Sequence, residues 1–370
     1  MKKHLLLIGG GHAHMVTLAN LHKFIEKGFI VSVIQPSEYH YYSGMGPGML
    51  GGTYSVDDIR FATRRLVESR GGTFILGKAF KIDPIKQLVY LQDDREIHYD
   101  VLSCNAGSFV PDSELVQGEP HNVFTSKPIE SLFTARKTIL ELCKEKKVII
   151  GVIGSGPSSL EISGNIHQLC REQAVNMPKI RLFAGRQFMS GRAGKIRRLA
   201  REILAGKDIE IIESGYVEKI SGDELVLENG DTFRNDIIFP AVGVKPSPIF
   251  ARSSLPVGPD GGLRVNDYLQ SICYTNIFGG GDCIYFESGP LDKVGVYAVR
   301  QNPVLYGNLM ACLEERALEK FNPGGTYLLI YNLGDGDGIF SKWSFTFSGR
   351  IAFWIKDYID RKFIRTFQEL

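Results

Sequence analysis

The stretch HLLLIGGGHAH, residues 4 to 14, determines the predicted fold. Residues 4 to 8 form a short apolar run typical of a buried strand, and residues 13 to 27 show the spacing of an amphipathic helix. Gly9, Gly10 and Gly11 lie between them, where a tight turn brings backbone N–H groups and the positive end of the helix dipole together. A strand, a glycine turn and a helix in this order predict a site for a dinucleotide pyrophosphate.

The same order of elements returns in the middle of the chain. A strand is predicted over residues 147 to 153, a turn at 154 to 156, a helix over 158 to 170 and a strand over 179 to 183. Two such units predict an α/β fold with two Rossmann-like dinucleotide-binding domains. Alternating apolar and polar residues follow each unit and predict antiparallel strands within 73 to 91 and 209 to 239.

The composition suits two domains and disfavours several classes of function. A chain of 370 residues is longer than one ordinary hydrophobic core requires. Its 43 basic and 41 acidic residues leave a net charge of +2, so no overall field would attract nucleic acid. The six cysteines show neither a CxxC pair nor a zinc-type spacing, which predicts no metal site and a reducing, cytoplasmic compartment.

Residues after each glycine turn bear on the choice of nucleotide. Where an acid commonly accepts from a ribose hydroxyl, the first unit has Gln35, which can hydrogen-bond as a neutral partner. The second unit has no acid there, and its strand is followed by Ala184, Gly185 and Arg186, with Arg192 nearby. An arginine without an acid favours NADPH over NADH. The alternative, that this unit no longer binds a nicotinamide nucleotide, stays open.

Five motifs occur in a fixed order between residues 4 and 310. They are Gly9-x-Gly11, the segment 99 to 107, Gly154-x-Gly156, the segment 236 to 243, and the segment 276 to 282. This order resembles the pyridine nucleotide-disulfide oxidoreductase family. The resemblance implies an FAD-binding domain at 1–110 and 245–320, split around an NAD(P)-binding domain at 111–244. An appendage of strand and amphipathic helix is expected at 321–370.

The resemblance also implies where FAD and NAD(P)H bind. Asp282 would accept hydrogen bonds from the ribityl chain of FAD, and the helix entered near Val296 would direct its positive end toward the flavin ring. The residues predicted to contact FAD are Gly9, Gly10, Gly11, His12, Ala13, Gln35, Ala79, Ala106, Gly107, Gly281, Asp282 and Val296. Those predicted to contact the nicotinamide nucleotide are Gly154, Gly156, Ser158 and Arg186.

Glu161 is the predicted catalytic residue. It follows the second glycine turn on the same helix, where the type II NADH dehydrogenases that this chain resembles also carry a glutamate. A carboxyl group in a cleft of low dielectric has a raised pKa and can carry a proton to the reduced flavin. The alternative is that Glu161 only orients the nicotinamide.

Differences from the known branches of the family narrow the choice of branch for this chain. The dithiol branch has a Cys-x4-Cys pair where this chain has residues 39 to 48, without cysteine, so a thiol relay is excluded. Sulfide-quinone reductases use cysteines near the second turn, where this chain has serines. Type II NADH dehydrogenases share the layout, but their paired glutamines match Val296 and Arg300 here. The electron acceptor therefore stays open.

Three functions follow from these resemblances. The first is an FAD-dependent oxidoreductase that takes hydride from NAD(P)H and passes electrons to a small-molecule acceptor without a redox disulfide. The second is a peripheral membrane NAD(P)H-quinone reductase. The third is a flavin-binding regulatory protein linked to selenium metabolism, because residues 9 to 14 and 354 to 363 resemble the flavoprotein found alone or fused ahead of selenide, water dikinase.

The last segment of the chain has its own pattern. Between residues 349 and 370 there are five basic and three acidic side chains. The apolar residues that recur every four positions are Ile351, Ile355, Ile359, Phe363 and Phe367. A basic helix with aromatic residues suits the inner face of a membrane. A docking helix or a homodimer contact would show the same pattern.

Overall fold

The computed structural model describes residues 2–112, 115–118 and 122–368. Residues 369 and 370, the end of the predicted amphipathic segment, lie outside the described residues. So do residues 113–114 and 119–121, which belong to the predicted NAD(P)-binding domain.

The strand before the first glycine turn is the centre of a five-stranded parallel sheet. His4–Ile8 pairs with Ile30–Gln35 on one side and with Val101–Cys104 on the other. From edge to edge the strands are Ile277–Gly279, Val101–Cys104, His4–Ile8, Ile30–Gln35 and Thr73–Leu76. Leu5, Leu6 and Leu7 are buried because both faces of the sheet are covered.

A second parallel sheet surrounds the strand before the second glycine turn. Its strands, from edge to edge, are Glu210–Ile212, Lys179–Phe183, Ile149–Ile153 and Ile237–Pro240. The predicted α/β class with two Rossmann-like units is therefore confirmed.

Antiparallel strands follow each parallel unit, with one correction to the sequence prediction. The first group is Ala79–Asp83, Leu88–Leu91 and Glu96–His98. The second is Val217–Ser221, Glu224–Leu227 and Thr232–Arg234, to which Val116–Gln117 adds in parallel. Thr73–Leu76 was predicted as antiparallel but pairs in parallel with Ile30–Gln35 at the edge of the first sheet. Glu210–Ile212 is likewise a parallel edge strand.

The helix after the first glycine turn is broken, although its sequence predicts one helix over residues 13 to 27. It consists of a 3-10 turn at His12–His14 and the helices Met15–Ala19 and Leu21–Glu26. At the break, the side-chain amide of Asn20 donates to the carbonyl of Val16 at 2.8 Å. Asparagine competes with the helix ladder through such local hydrogen bonds.

The remaining elements connect and cover the two sheets. The helices are Gly46–Gly51, Thr63–Ser69, Glu130–Glu145, Pro157–Glu172, Gly194–Gly206, Ile249–Arg252 and Gly295–Leu313. Further 3-10 turns are Ser43–Met45, Asp57–Ile59 and Gly281–Cys283. Short strand pairs join His40–Tyr41 to Arg60–Phe61, Ser108–Phe109 to Lys245–Pro246, and Leu263–Val265 to Ile284–Phe286.

The C-terminal segment forms a tail sheet and a tail helix. The tail sheet is the antiparallel set Leu329–Asn332, Gly338–Lys342 and Phe345–Ser348, and the tail helix is Arg350–Gln368. The tail sheet packs on the helix Pro157–Glu172 at Gly164, where a Cβ atom would lie closer than 3.0 Å to the carbonyl of Leu333. Only glycine permits this approach.

The buried face of the tail helix differs from the apolar stripe read in the sequence. Ala352, Asp360 and Ile364 are buried, whereas Ile351 is 62% and Ile359 42% exposed. The helix is thus rotated toward a face that contains charged residues. Among the described residues, no helix is both long and apolar enough to cross a membrane.

Candidate active site

A cleft of about 1230 Å³ extends between the two glycine turns. That volume exceeds the range usual for a single drug-sized ligand. The predicted site residues in its wall are Gly9, Gly10, Gly11, His12, Gln35, Ala79, Ala106, Gly107, Gly154, Gly156, Ser158, Glu161, Gly281 and Asp282. The structure therefore brings residues from distant parts of the sequence into one site.

The first glycine turn is held closed by its neighbours. Gly9 has φ +85°, and a Cβ there would lie closer than 3.0 Å to the backbone carbonyl of Asn105. His14, which replaces the usual third glycine, lies with Nδ1 2.6 Å from the carbonyl oxygen of Gly9 and Nε2 2.8 Å from Oγ of Ser103. Burial lowers the pKa of His14 to about 4, so the ring is neutral. Nδ1 then donates to Gly9, and Nε2 accepts from Ser103.

Two buried polar atoms in the cleft wall suit a bound FAD. Among the described residues, Oδ1 of Asn105 and Nε2 of His12 have no hydrogen-bond partner. Gly107 has φ +67° and no atom within 4 Å of an added Cβ, so the backbone there faces open space. The first N–H groups of the helix after the turn have no partner within that helix and suit a pyrophosphate. These donors and acceptors fit the polar groups of FAD.

Asp282 forms an ion pair that the sequence did not predict. Its Oδ2 accepts from Nζ of Lys127 at 2.7 Å and from Oγ of Ser108 at 2.8 Å. Burial would raise the pKa of Asp282, but the charge and hydrogen bond of Lys127 outweigh it and hold the pKa below its usual value. Asp282 is therefore ionised and can accept from ribityl hydroxyls. Lys127 is a single loop lysine, so no pattern in the sequence marks it.

His12 belongs to a cluster of rings that also includes the tail helix. Its Nδ1 lies 3.3 Å from Nε2 of His40, and its ring stacks on Phe363 at a centroid distance of 5.4 Å. The ring of Tyr42 is 5.1 Å away. Burial lowers the pKa of His12 to about 4 and that of His40 to about 3, so both imidazoles are neutral.

Four of the predicted contact residues either bond within the protein or lie outside the cleft wall. Both polar atoms of Gln35 are engaged within the protein, because Oε1 accepts the N–H of Gly10 and Nε2 donates to the carbonyls of Ser37 and Tyr39. The other three, Ala13, Val296 and Arg186, lie outside the cleft wall. Ala13 packs beneath the turn and is buried, and Val296 lies in the first turn of Gly295–Leu313.

Arg186 forms an ion pair at the protein surface and does not line the cleft. Its Nε donates to Oε1 of Glu228 at 2.8 Å, and its guanidinium lies over the ring of Tyr216 at 5.7 Å. Arg192, six residues later, lines the cleft instead.

Glu161 lies in the cleft wall on the helix that follows the second glycine turn. Its Oε1 accepts the backbone N–H of Asn332 in the tail sheet at 2.8 Å. Burial raises the pKa of Glu161 to about 7, against the opposing effect of the nearby Lys356 ammonium. At neutral pH this carboxyl group can therefore both hold and release a proton.

Lys356, on the tail helix, is a buried basic residue. Its side chain is only 11% exposed. Nζ donates to the carbonyl oxygen of Gly44 at 2.8 Å and to Oδ2 of Asp360 at 2.5 Å. Spacing along the helix does not reveal that Asp360 and Glu161 supply a charged environment for this buried ammonium.

The chain belongs to the pyridine nucleotide-disulphide oxidoreductase family, whose profile matches residues 3–303. Ferroptosis suppressor protein 1 of Xenopus tropicalis is 24% identical over 350 residues, covering 90% of this chain and 87% of that protein. The type II NADH:quinone oxidoreductase of Staphylococcus epidermidis is 24% identical over 402 residues, covering 98% and 95%. The structure of NDH2 from Plasmodium falciparum in complex with NADH shares the fold, with a TM-score of 0.80, 14% identity and 98% coverage of both chains.

Family membership confirms the predicted class of enzyme. The protein is an FAD-dependent oxidoreductase whose second nucleotide is NAD(P)H. The boundaries at 110, 244 and 320 and the roles of individual site residues stay predictions.

Proposed function

We propose that this enzyme oxidises NAD(P)H and reduces a quinone-type acceptor. The observation that carries the proposal is Glu161, a carboxyl group in the cleft wall whose pKa of about 7 allows it to be protonated at neutral pH. A quinone takes up protons together with electrons, so its reduction needs such a donor. Two of the relatives described above are quinone or NADH-linked oxidoreductases by name, which supports the same choice.

The overall reaction converts NAD(P)H, one proton and a quinone into NAD(P)⁺ and a hydroquinone. Bound FAD supplies the chemistry that accepts hydride from the nicotinamide and returns two electrons to the acceptor. The chain's own residues bind, orient and protonate. Since Oε1 of Glu161 accepts the N–H of Asn332, the exchangeable proton of Glu161 resides on Oε2. Solvent restores that proton after each turnover.

The preference for NADPH over NADH depends on an arginine in the wall of the cleft. Arg186 is paired with Glu228 outside the cleft, whereas Arg192 lines the cleft. An arginine in this position favours a 2'-phosphate, so we propose NADPH as the preferred donor through Arg192.

The experiment compares two acceptors in the wild-type enzyme and in Glu161→Gln. A short-chain soluble quinone requires a proton, whereas ferricyanide takes electrons without one. We expect NAD(P)H-dependent reduction of both by the wild type, and a loss of about 100-fold with the quinone alone in Glu161→Gln. Equal losses with both acceptors, or no quinone turnover by the wild type, would contradict the proposal.

We also propose that the tail attaches the enzyme to a membrane surface. Trp343, Phe345, Trp354 and Tyr358 are 73%, 68%, 62% and 67% exposed. We call these four residues and Ile351, which is also exposed, the tail patch. The ammonium of Lys342 lies 4.3 Å from the centroid of the Trp343 ring. Exposed aromatic rings beside basic groups suit the interface between lipid headgroups and acyl chains.

Vesicle flotation tests the tail patch. We expect the wild type to float with anionic vesicles and the double variant Phe345→Ser/Trp354→Ser to remain in the soluble fraction, because two of the four exposed aromatic rings are removed. Tyr216→Ser, at a residue 58% exposed but outside the tail, is the matched control and should float. Loss of dimerisation in place of loss of flotation would assign the patch to a homodimer contact.

A further inference from the structure

The tail helix carries two groups of the same composition. In the first, Tyr42 Oη donates to Oδ1 of Asp360 at 2.9 Å, and Lys356 Nζ donates to Oδ2 of the same carboxylate at 2.5 Å. In the second, Tyr54 Oη donates to Oδ1 of Asp357 at 2.9 Å, and Arg361 Nε donates to the two oxygens of Asp357 at 2.9 and 3.0 Å. Each is a tyrosine, an aspartate and a cation, which we call the inner triad and the outer triad.

The two triads differ in burial. In the inner triad the side chains of Lys356 and Asp360 are 11% and 6% exposed. In the outer triad those of Arg361 and Asp357 are 38% and 27% exposed. An ion pair in water contributes little, whereas a buried pair loses its hydration on both ions and depends on every partner being in place. The outer triad therefore suits attachment of the helix, while the inner triad places a charge where desolvation makes it costly.

The inner triad also differs in what it contacts. The Lys356 ammonium bonds the carbonyl of Gly44, and Gly44 and Glu161 both line the cleft. Arg361 instead lies over the ring of Tyr54, 5.1 Å from its centroid. Only the inner triad thus extends to the catalytic cleft.

We propose that Asp360, held by Tyr42, is a positioning residue that fixes the Lys356 ammonium beside Glu161 and thereby tunes Glu161 as a proton donor. The proposal rests on the assignment of Glu161 as that donor. Neither Asp360 nor Tyr42 lines the cleft, so each acts through Lys356 or through its own charge. In this way the C-terminal helix takes part in the chemistry of the domain that binds the nicotinamide nucleotide.

The charges around Glu161 determine the sign of each expected effect. Lys356 lowers the pKa of Glu161 and Asp360 raises it, both secondary to burial. Tyr42 and Tyr331 also lie within electrostatic reach, and Arg192 acts on Tyr331. Burial would lower the pKa of Lys356, but Asp360, Glu161 and Asp357 raise it, so the amine stays charged.

Removal of the Asp360 charge and removal of the Lys356 charge should therefore shift the proton affinity of Glu161 in opposite directions. Asp360→Asn deletes a negative charge, which leaves Lys356 unopposed and favours ionised Glu161. Lys356→Met deletes the positive charge and favours protonated Glu161. Asp357→Asn, on the same helix in the outer triad, is the matched control, because the Asp357 carboxylate is hydrogen-bonded to Tyr54 and Arg361 in place of Lys356.

Infrared titration of the carboxyl C=O band that Glu161→Gln removes tests the proposal directly on the flavin-loaded protein. We expect the midpoint of this band to fall by about one pH unit in Asp360→Asn, to rise by about as much in Lys356→Met, and to stay in place in Asp357→Asn. An unchanged midpoint in Asp360→Asn, or shifts of the same sign in the two inner variants, would overturn it. Because the titration involves no acceptor, its result is independent of quinone turnover.

Discussion

Both glycine turns require glycine at their first position, Gly9 and Gly154, but their later positions have different surroundings. Gly9 and Gly154 have φ +85° and +132°, and a Cβ on either would lie closer than 3.0 Å to a backbone carbonyl, that of Asn105 or that of Ala241. The surroundings of the turns differ at the second glycine of each Gly-x-Gly motif, Gly11 and Gly156. A Cβ on Gly11 would meet Oδ1 of Asn105 closer than 3.0 Å, whereas nothing lies within 4 Å of one on Gly156.

The residues after each turn extend this difference. In the first turn the buried imidazole of His14 joins the carbonyl of Gly9 to the buried hydroxyl of Ser103. In the second turn Ser159 Oγ donates only to the nearby carbonyl of Gly156, at 2.8 Å. A closed, braced turn suits a cofactor that stays bound, and an open turn suits a nucleotide that must enter and leave in every cycle. The same glycine motif can therefore suit a permanently bound cofactor or an exchanging nucleotide, depending on the residues that surround it.

The largest effect is expected at the first glycines. Asn105 follows Val101–Cys104, which has a full strand on both sides, while Ala241 follows Ile237–Pro240, whose outer side carries a single parallel bridge from Val123. We expect Gly9→Ala to be isolated without flavin and Gly154→Ala to retain it, with the KM for NAD(P)H raised about tenfold. Flavin content by absorbance and steady-state kinetics measure the two outcomes. Flavin loss from both variants would remove the distinction between the turns.

A smaller effect is expected at the second glycines. In Gly11→Ala the new methyl group displaces the Asn105 side chain, whose Nδ2 donates to Gly280, so FAD should bind about thirtyfold more weakly, or about 2 kcal/mol. Gly156→Ala should leave FAD affinity unchanged, because the added methyl group meets no protein atom. Titration of apoprotein with FAD measures both, and Gly307→Ala, in open space on a helix, is the control. Equal FAD affinities in the Gly11 and Gly156 variants would contradict the comparison.

The smallest effect is expected when only the imidazole of His14, which joins Gly9 to Ser103, is removed. His14→Ala leaves the Gly9 carbonyl and the Ser103 hydroxyl without their partner, so the free energy of unfolding should fall by about 2–3 kcal/mol while flavin still binds. Chemical denaturation measures it. The control His98→Ala removes an exposed ring and should change stability by less than about 0.5 kcal/mol. Similar losses of unfolding free energy in His14→Ala and His98→Ala would mean that the hydrogen bonds of His14 do not stabilise the first turn.

Much of the scaffold could be predicted from the sequence because it depends on local signals. Buried parallel strands are continuous apolar runs, so His4–Ile8 and Lys179–Phe183 were placed to the residue. The break at Asn20 was missed because it depends on a side-chain amide that competes with the helix. The edge strand Thr73–Leu76 was misassigned because alternation describes exposure and leaves strand direction undetermined.

The site was predictable only where a motif carries it. The glycines, Asp282 and Glu161 occupy fixed places relative to strands, and the structure places all of them in one cleft. Lys127 and Lys356 reach the site from a loop and from the tail helix, over sequence separations of 155 residues to Asp282 and 312 to Gly44. Such contacts depend on tertiary packing, which spacing along the chain does not encode.

The most direct test of the central claim is anaerobic rapid mixing of the flavin-loaded enzyme, first with NADPH or NADH and then with a soluble quinone. We expect the visible flavin band to bleach on the first mixing and to return on the second, with NADPH the faster donor. Failure of both nucleotides to bleach the band, or a reduced flavin that the quinone leaves bleached, would contradict it.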